Sequence, residues 1–440
     1  MRRVPLAGLM CRGILPKMVG ACLADSLLDL PHRWPDKVRA VVLGICLARS
    51  TVLQDIVRAL GGPVKKSEKA LSEFLGFQTL DLTAGAHRHA VKMLRRLGLR
   101  RFHRYRGKVI LLIDSTTYAK LRSRGKQRGM PRIGKVRLQN VKARETILLP
   151  EYTELWTGLL LKDKSCLGIT RRLYTEVTLP GQGFSQNALE EVEIRRAVAL
   201  VKGAFGVGVI LVADQGFKRK NLLAWLKKEE RIAFVIRIGG KLTVKARGWE
   251  GLLNDLAPHW RERLRRHWRD DHKDPILSEV RGQAVEIPLD EKGAEWVRVN
   301  VAHLTPVNRE GMDPMILATT LPIETRDELS RIVSLYSSRW TIETFFLTFK
   351  ESLGAGRFRV FSCWNALDRL LAMAHMALLV LFWLYVEGQA AKCGAMAAFW
   401  RRMGDLLREW TARTPELTLG QFFDVLALDH PSPRWARACT

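Results

Sequence analysis

Acidic residues are scarce in this chain. Its 440 residues carry 44 aspartates and glutamates against 72 lysines and arginines, a formal net charge of +28, with a pI near 10.3. An excess of that size over a whole protein points to a polyanionic partner, nucleic acid first and an anionic membrane surface second. Cysteine is thin as well. The seven cysteines, at 11, 22, 46, 166, 363, 393 and 439, lie far apart and form no C-x-x-C pair. That spacing excludes a structural zinc site and a disulfide framework, and it predicts a reducing, cytoplasmic setting. There is no Walker A loop and no G-x-G-x-x-G run, so no nucleotide hydrolysis is expected. Internal repeats and long low-complexity segments are also lacking.

Long hydrophobic runs are nearly absent. Arg2 and Arg3 precede a short apolar stretch that Arg12 interrupts before it reaches signal-peptide length. Leu370–Val386 is the exception, 17 residues without a charge, bounded by Arg369 and Glu387 and containing His375. That length is the lower limit for a membrane span, and a helix buried on all sides of a large protein fits the same pattern.

The chain is long enough for two or three domains around a substantial core. Residues 1–105 read as short helices. Asp36 is a candidate cap for a helix carrying Val38, Val41, Val42 and Ile45, followed by helices at Thr51–Leu60, Ser67–Leu75 and Thr83–Leu97. Helices joined by Gly-containing turns have the outline of a helix-turn-helix, and of any small helical bundle. From Lys92 to Lys108 eight cations and no acid are interleaved with Phe102 and Tyr105. Nucleic-acid contact segments look like this, and so do solvated linkers. Lys120–Arg144 repeats the theme with ten basic residues, no acid and a glycine-rich start, suited to wrapping a phosphate backbone.

Two short apolar runs each end at an aspartate. Val109–Ile113 reads as a buried strand leading to Asp114, and Val207–Ala213 as a second leading to Asp214. Each acid alone could be a turn or cap residue. Further strands are expected at Thr157–Lys162, Leu173–Leu179, Ile232–Ile238 and Met315–Leu321, with a helix capped by Ser185 running to about Lys202. Residues 239–313 change character to short β-like pieces between charged turns. Thr325 and Glu328 form a capping box opening the next helical region, and Gly354 is its expected stop.

That region contains Leu335–Leu353, LYSSRWTIETFFLTFKESL, which reads as one helix. At about 100° per residue, Tyr336, Arg339, Glu343 and Lys350 fall within an arc of roughly 60°. Ile342, Phe345, Phe346, Phe349 and Leu353 gather opposite and predict a packed face. A solvated amphipathic face would show the same separation. The spacing Tyr-x2-Arg-x3-Glu-x6-Lys, with Trp340 and Ile342 beside it, resembles the YREK signature of bacterial insertion-sequence transposases of the DDE type. The segment after Asp214 resembles that family's A-D-x-G-F/Y element.

The resemblance spans about 100–360 and carries a set of expectations. The fold it implies is α/β: an RNase H-like mixed sheet flanked by helices, with a mainly β insertion and a helical N-terminal domain. The corresponding division is 1–105 for a helical DNA-binding domain, 106–238 with 314–360 for the catalytic domain, 239–313 for the insertion and 361–440 for a helical C-terminal region. Asp114, Asp214 and Glu343 match the family's metal-binding carboxylates. Tyr336, Arg339 and Lys350 match its contacts to transposon-end DNA, and Trp340 stands beside them for stacking on a base or for packing. The implied cofactor is Mg²⁺, with Mn²⁺ as the other suitable ion, since three acids without a cysteine or histidine cluster suit a hard cation. The implied partners are double-stranded DNA, as element ends and target, and a second copy of the chain in a synaptic complex. No membrane is expected, and the setting is a bacterial cytoplasm at the nucleoid. The activity implied is DNA cleavage and joining of 3′ ends to a target. A metal-dependent nuclease without strand transfer and an inactive DNA-binding descendant are the alternatives, and a membrane-surface protein ranks last.

Overall fold

The structure is a computed structural model. It describes residues 14–28, 30–31, 34–61, 63–77, 82–119, 134–136, 147–149, 151–174, 185–229, 232–246, 248–259, 262–269, 275–288, 296–308, 311–358, 364–392, 394–411 and 422. Most of the basic stretch Lys120–Arg144 and the expected strand end at 175–179 lie outside the described residues.

In chain order the helices are α1 (Leu15–Leu23), α2 (Pro35–Ala48), α3 (Leu53–Ala59), α4 (Val64–Gly76), α5 (Thr83–Leu97), α6 (Gln186–Phe205), α7 (Lys220–Lys228), α8 (Arg326–Ser337), α9 (Trp340–Leu347), α10 (Trp364–Ala390) and α11 (Gly394–Thr411). The strands are β1 (Arg104–Tyr105), β2 (Lys108–Ala119), β3 (Gly134–Val136), β4 (Ile147–Leu149), β5 (Glu151–Leu160), β6 (Cys166–Tyr174), β7 (Val209–Ala213), β8 (Ile232–Ile238), β9 (Thr243–Ala246), β10 (Trp249–Leu252), β11 (Glu262–Arg269), β12 (Pro275–Pro288), β13 (Trp296–Pro306) and β14 (Met315–Thr319).

The apolar run Val109–Ile113 is buried throughout, as a strand covered on both faces requires. β2 pairs in parallel with β7, and β7 with β8. On its other side β2 pairs antiparallel with β5, and β5 with β6. The order β6-β5-β2-β7-β8, with only the last three parallel, is the RNase H-like mixed sheet. Beyond β8 the sheet continues through antiparallel β14, β13 and β12 to β9 and β10, and β11 pairs with β12. The strands between residues 239 and 313 therefore extend the RNase H-like sheet by hydrogen bonding through β14.

α8 packs against β7 and β8, and α9 against β2 and β6. α6 opens with the Ser185 hydroxyl accepting from the Ala188 amide at 3.2 Å, and the Thr325–Glu328 capping box opens α8. The expected Asp36 cap is corrected. Trp34 precedes the helix, Pro35 takes the first helical position, and Asp36 lies in the first turn bonded to Arg39 at 2.9 Å.

Every residue of Leu370–Val386 is buried. Asn365–Ala390 is long and apolar enough to cross a membrane, but 94% of its apolar window is inside the fold. α10 packs against α1, α2, α4, α5, α11 and β6. It fills the seam between the N-terminal helices and the sheet, so one continuous hydrophobic core runs through both.

Candidate active site at the end of the parallel strands

Asp114 and Asp214 come together because β2 and β7 run side by side. The parallel register ends at Ile113 opposite Ala213, which leaves the two aspartates level. One expectation is corrected here. Asp114 does not end its strand, because β2 continues to Ala119 on its antiparallel pairing with β5. Asp214 does follow the end of β7 and leads into a single 3₁₀ turn, Gln215–Phe217.

The third acid arrives on α9, and the continuous helix expected over 335–353 is corrected too. α8 stops at Ser337, α9 starts at Trp340, and a π-helical turn covers Thr348–Ser352. Between them the backbone tightens to i→i−3 bonds. The Arg339 amide donates to Tyr336 O at 2.9 Å, Thr341 to Ser338 O at 3.1 Å and Ile342 to Arg339 O at 3.0 Å. Ser337, Ser338 and Thr341 hydroxyls donate back to the carbonyls of Val333, Leu335 and Ser338 at 2.8, 2.6 and 2.9 Å, the side-chain competition that bends helices at hydroxyl residues. The tightened turn and the wide π turn flank α9, and Tyr336, Arg339 and Glu343 still converge with the two aspartates while Lys350 reaches β2.

Arg339 is the centre of that convergence. Its Nη1 donates to Asp114 Oδ2 at 3.0 Å and to Glu343 Oε1 at 2.8 Å. Those two oxygens therefore lie no farther apart than the sum of the two bonds, although their residues are 229 positions apart in the chain. Asp214 accepts the Tyr336 hydroxyl at 3.0 Å. Asp114 also accepts the Ser115 amide at 2.8 Å. The Arg339 guanidinium lies 4.6 Å from the Trp340 ring, and its Nε, buried, has no hydrogen-bond partner. Lys350 donates to Thr117 O at 2.7 Å, with its ammonium 4.8 Å from the Tyr118 ring. It meets β2 further along than Asp114. Tyr336 and Arg339 are buried, so their polar atoms are turned to the carboxylates.

The electrostatics follow from this crowding. Burial raises the Asp114 carboxyl above the usual range and Asp214 adds to the rise, while Arg339 and the Ser115 amide oppose it. Burial acts to lower the Arg339 pKa, but Tyr336, Asp214, Asp114 and Glu343 together outweigh it, and the guanidinium is held charged. Burial and then Asp214 push the Tyr336 phenol up, so it stays a donor. Burial lowers the Lys350 pKa, against the pull of Glu154 and Glu351. Among the described residues no three His, Cys, Asp or Glu side chains are arranged to ligate an ion directly. Arg339 stands between two of the three candidates.

Residues that sequence reasoning passed over form a buried network beside Lys350, whose ammonium lies over the Tyr118 ring. Glu154 on β5, fully buried, accepts from Tyr118 Oη at 2.5 Å and Trp156 Nε1 at 2.8 Å, and from Arg171 Nε. Arg171 Nη2 then donates to Asp368 at 2.7 Å. The available signal was a lone glutamate in the run Tyr152–Leu160, at the same alternating positions as Tyr152 and Trp156. Gly168 on β6 has a second supporting role. A Cβ there would collide with the Phe345 ring of α9 and stand 2.9 Å from Trp156, so the glycine lets α9 approach the sheet. The C-terminal end of this segment is held by the N-terminal helices. Arg49 donates to Ser352 O at 3.0 and 2.6 Å, and Thr51 to Gly354 O at 2.9 Å, while Gly354 takes φ +69° to stop the turn.

The basic run Lys92–Lys108 is partly engaged within the fold. Arg95 donates to Gly203 O at 2.9 Å, Arg96 lies 4.0 Å from the Trp383 ring, and Arg106 pairs with Glu328 at 2.6 Å.

A comparison with curated proteins finds no match. Residues 185–381 match the family model for the transposase DDE domain, a span that includes Asp214 and Glu343 and leaves Asp114 outside it. Residues 185–381 thus carry a match to a transposase DDE domain, on an RNase H-like sheet, and this supports a DDE-type transposase.

Proposed function

We propose that the protein cuts DNA at the ends of an insertion element and joins the 3′ ends to target DNA, with Asp114, Asp214 and Glu343 as the residues that hold divalent cations. The observation that carries this is their convergence. Three acids from three separate segments meet around one guanidinium at the end of parallel strands, where sites on such sheets form. Their all-oxygen donor set fits Mg²⁺ or Mn²⁺. When bound, such ions activate a water or 3′-hydroxyl and stabilise the leaving oxygen. In this reading Arg339 grips the terminal phosphate in a fork, Lys350 adds a point charge, and Tyr336 orients Asp214. Trp340, beside Arg339, offers a ring for a base or a platform for the guanidinium. A second copy of the chain completes a synaptic complex at the nucleoid.

The test uses duplexes carrying the segments that flank the gene, with a plasmid target. Wild-type protein is expected to cleave the ends and join them in Mg²⁺. Asp114→Ala, Asp214→Ala and Glu343→Ala should each lose cleavage and retain DNA binding. Normal cleavage by one variant removes that residue from the site, and cleavage without joined product assigns a nuclease instead. Arg339→Ala and Lys350→Ala should bind metal and fail at end cleavage, with Arg339→Lys rescuing only in part. Affinity for DNA should fall steeply with salt, as phosphate neutralisation requires. A flat response would return the basic segments to solvated surface.

A further inference from the structure

Arg339 has one charge and two kinds of partner to share it between. Its Nη1 is within hydrogen-bond distance of both Asp114 Oδ2 and Glu343 Oε1. A cation bound by those oxygens at about 2.0–2.1 Å, the Mg²⁺ distance, would stand close beside a charged guanidinium that already donates to both, so ion and arginine compete for the same two carboxylates. A phosphate gripped through the free edge of the fork draws on the same single charge and pulls the guanidinium toward itself. The guanidinium is buried, its Nε is unpartnered, and the Trp340 ring beside it is only half-buried. These are the surroundings of a group with an alternative partner still to meet.

We propose that Arg339 is a stand-in for the cation, and that its transfer from the carboxylates to a DNA phosphate couples DNA binding to metal binding. This rests on Asp114 and Glu343 being the cation-holding acids. Without DNA the guanidinium neutralises them and competes with the ion. A terminal phosphate draws Arg339 away and frees both oxygens. The two ligands then help one another by the same factor, because coupling between binding sites is reciprocal. The consequence is that the site loads its metal on DNA and stays closed to metal off it.

The experiment is calorimetric titration of the full chain with MnCl₂, without DNA, for wild type, Arg339→Gln, Asp114→Asn and Glu343→Gln. A companion measurement follows fluorescence anisotropy of a labelled end duplex with and without Mn²⁺ at constant ionic strength. Arg339→Gln is expected to bind Mn²⁺ more tightly than wild type, within the roughly 5- to 150-fold typical of such couplings. Wild type should bind DNA more tightly with Mn²⁺ by a comparable factor, and Arg339→Gln should lose that Mn²⁺ dependence. Equal or weaker Mn²⁺ binding by a folded Arg339→Gln overturns the proposal. Should that variant misfold, a wild-type DNA affinity indifferent to Mn²⁺ overturns it equally. The underlying reading fails in a different way, with Asp114→Asn and Glu343→Gln binding Mn²⁺ as wild type does.

Discussion

Arg171 and Arg339 each bridge two carboxylates from distant parts of the chain, yet they stand in opposite kinds of cluster. Around Arg171 the polar atoms are saturated. Glu154 is fully buried and takes bonds from Tyr118, Trp156 and Arg171, and Asp368 closes the far side. Around Arg339 the acids are held at their rim, with the Asp114 and Glu343 side chains 18% and 38% exposed against 7% for the arginine. A buried, satisfied ion pair makes a rigid platform. A half-open cluster of like charges around one cation keeps its carboxylates within reach of solvent. The same residue types therefore form a closed scaffold in one place and a solvent-reaching cluster in the other, and the exposure of the acids separates the two.

The largest expected effect tests that contrast directly. Glu154→Ala leaves Arg171 buried with one partner lost and should cost about 3–5 kcal/mol, measured from the urea midpoint. Glu343→Gln, in the open cluster, should leave the midpoint unchanged or raised while cleavage disappears, because it relieves repulsion among acids held together for function. A comparable loss of stability in both variants would erase the distinction.

Next in size is Gly168→Ala. The added methyl meets the Phe345 ring, and overpacking of this kind costs about 1–3 kcal/mol. Because α9 carries Glu343 as well as Phe345, cleavage should fall more than stability does. Phe345→Leu in the same chain should restore part of both. Unchanged cleavage with lowered stability would separate the packing of α9 from the geometry of the site.

Acid should weaken the fold through its buried histidines. Burial lowers His89 and His303 to about 4 and His375 to about 3, from the usual 6.5. The unfolded chain takes up these protons below pH 6.5 and the folded chain does not. Their contribution is therefore complete above pH 6.5 and is lost progressively as pH falls toward 4. Asp114 and Glu193, with raised values, take up protons on acidification and offset part of this. Thermal melts from pH 7.5 to 4.5 should show the decline, and His89→Leu, which removes one buried histidine, should flatten it.

The smallest effect is expected at the surface. Asp36 is 87% exposed beside Arg39, and Asp36→Ala should change stability by less than about 1 kcal/mol. A larger loss would mean that this first turn carries tertiary load.

Much of the RNase H-like sheet was legible because its signals are local. The runs before Asp114 and Asp214 are apolar without alternation, as buried parallel strands must be, and β7, β8, β14, the Ser185 cap and the Thr325 box fall where propensity and capping put them. The Glu154–Arg171–Asp368 network was hidden, since its members are 17 and 197 residues apart and are joined only by the pairing of β5 with β6 and the packing of α10 on β6. The break at Ser338 was also missed, because a wheel drawn at a constant angle ignores hydroxyls that bond back to the backbone.

What the sequence by itself determined is the chemistry on offer: an excess of cations for a polyanion, two acids following apolar runs, and a third acid flanked by Tyr336, Arg339 and Lys350 at helical spacing. These depend on residue type and short-range periodicity, which are properties of contiguous chain. Only the tertiary structure decided that Arg339 turns inward to bridge Asp114 and Glu343, and that β14 joins β13 to β8 in one continuous sheet. It also decided that the apolar helix α10 fills a core between the sheet and the N-terminal helices. Each of those outcomes is a choice among partners far apart in the chain. The choice is made by packing and by the cost of leaving a buried charge unpaired, and neither is written in any one stretch of sequence.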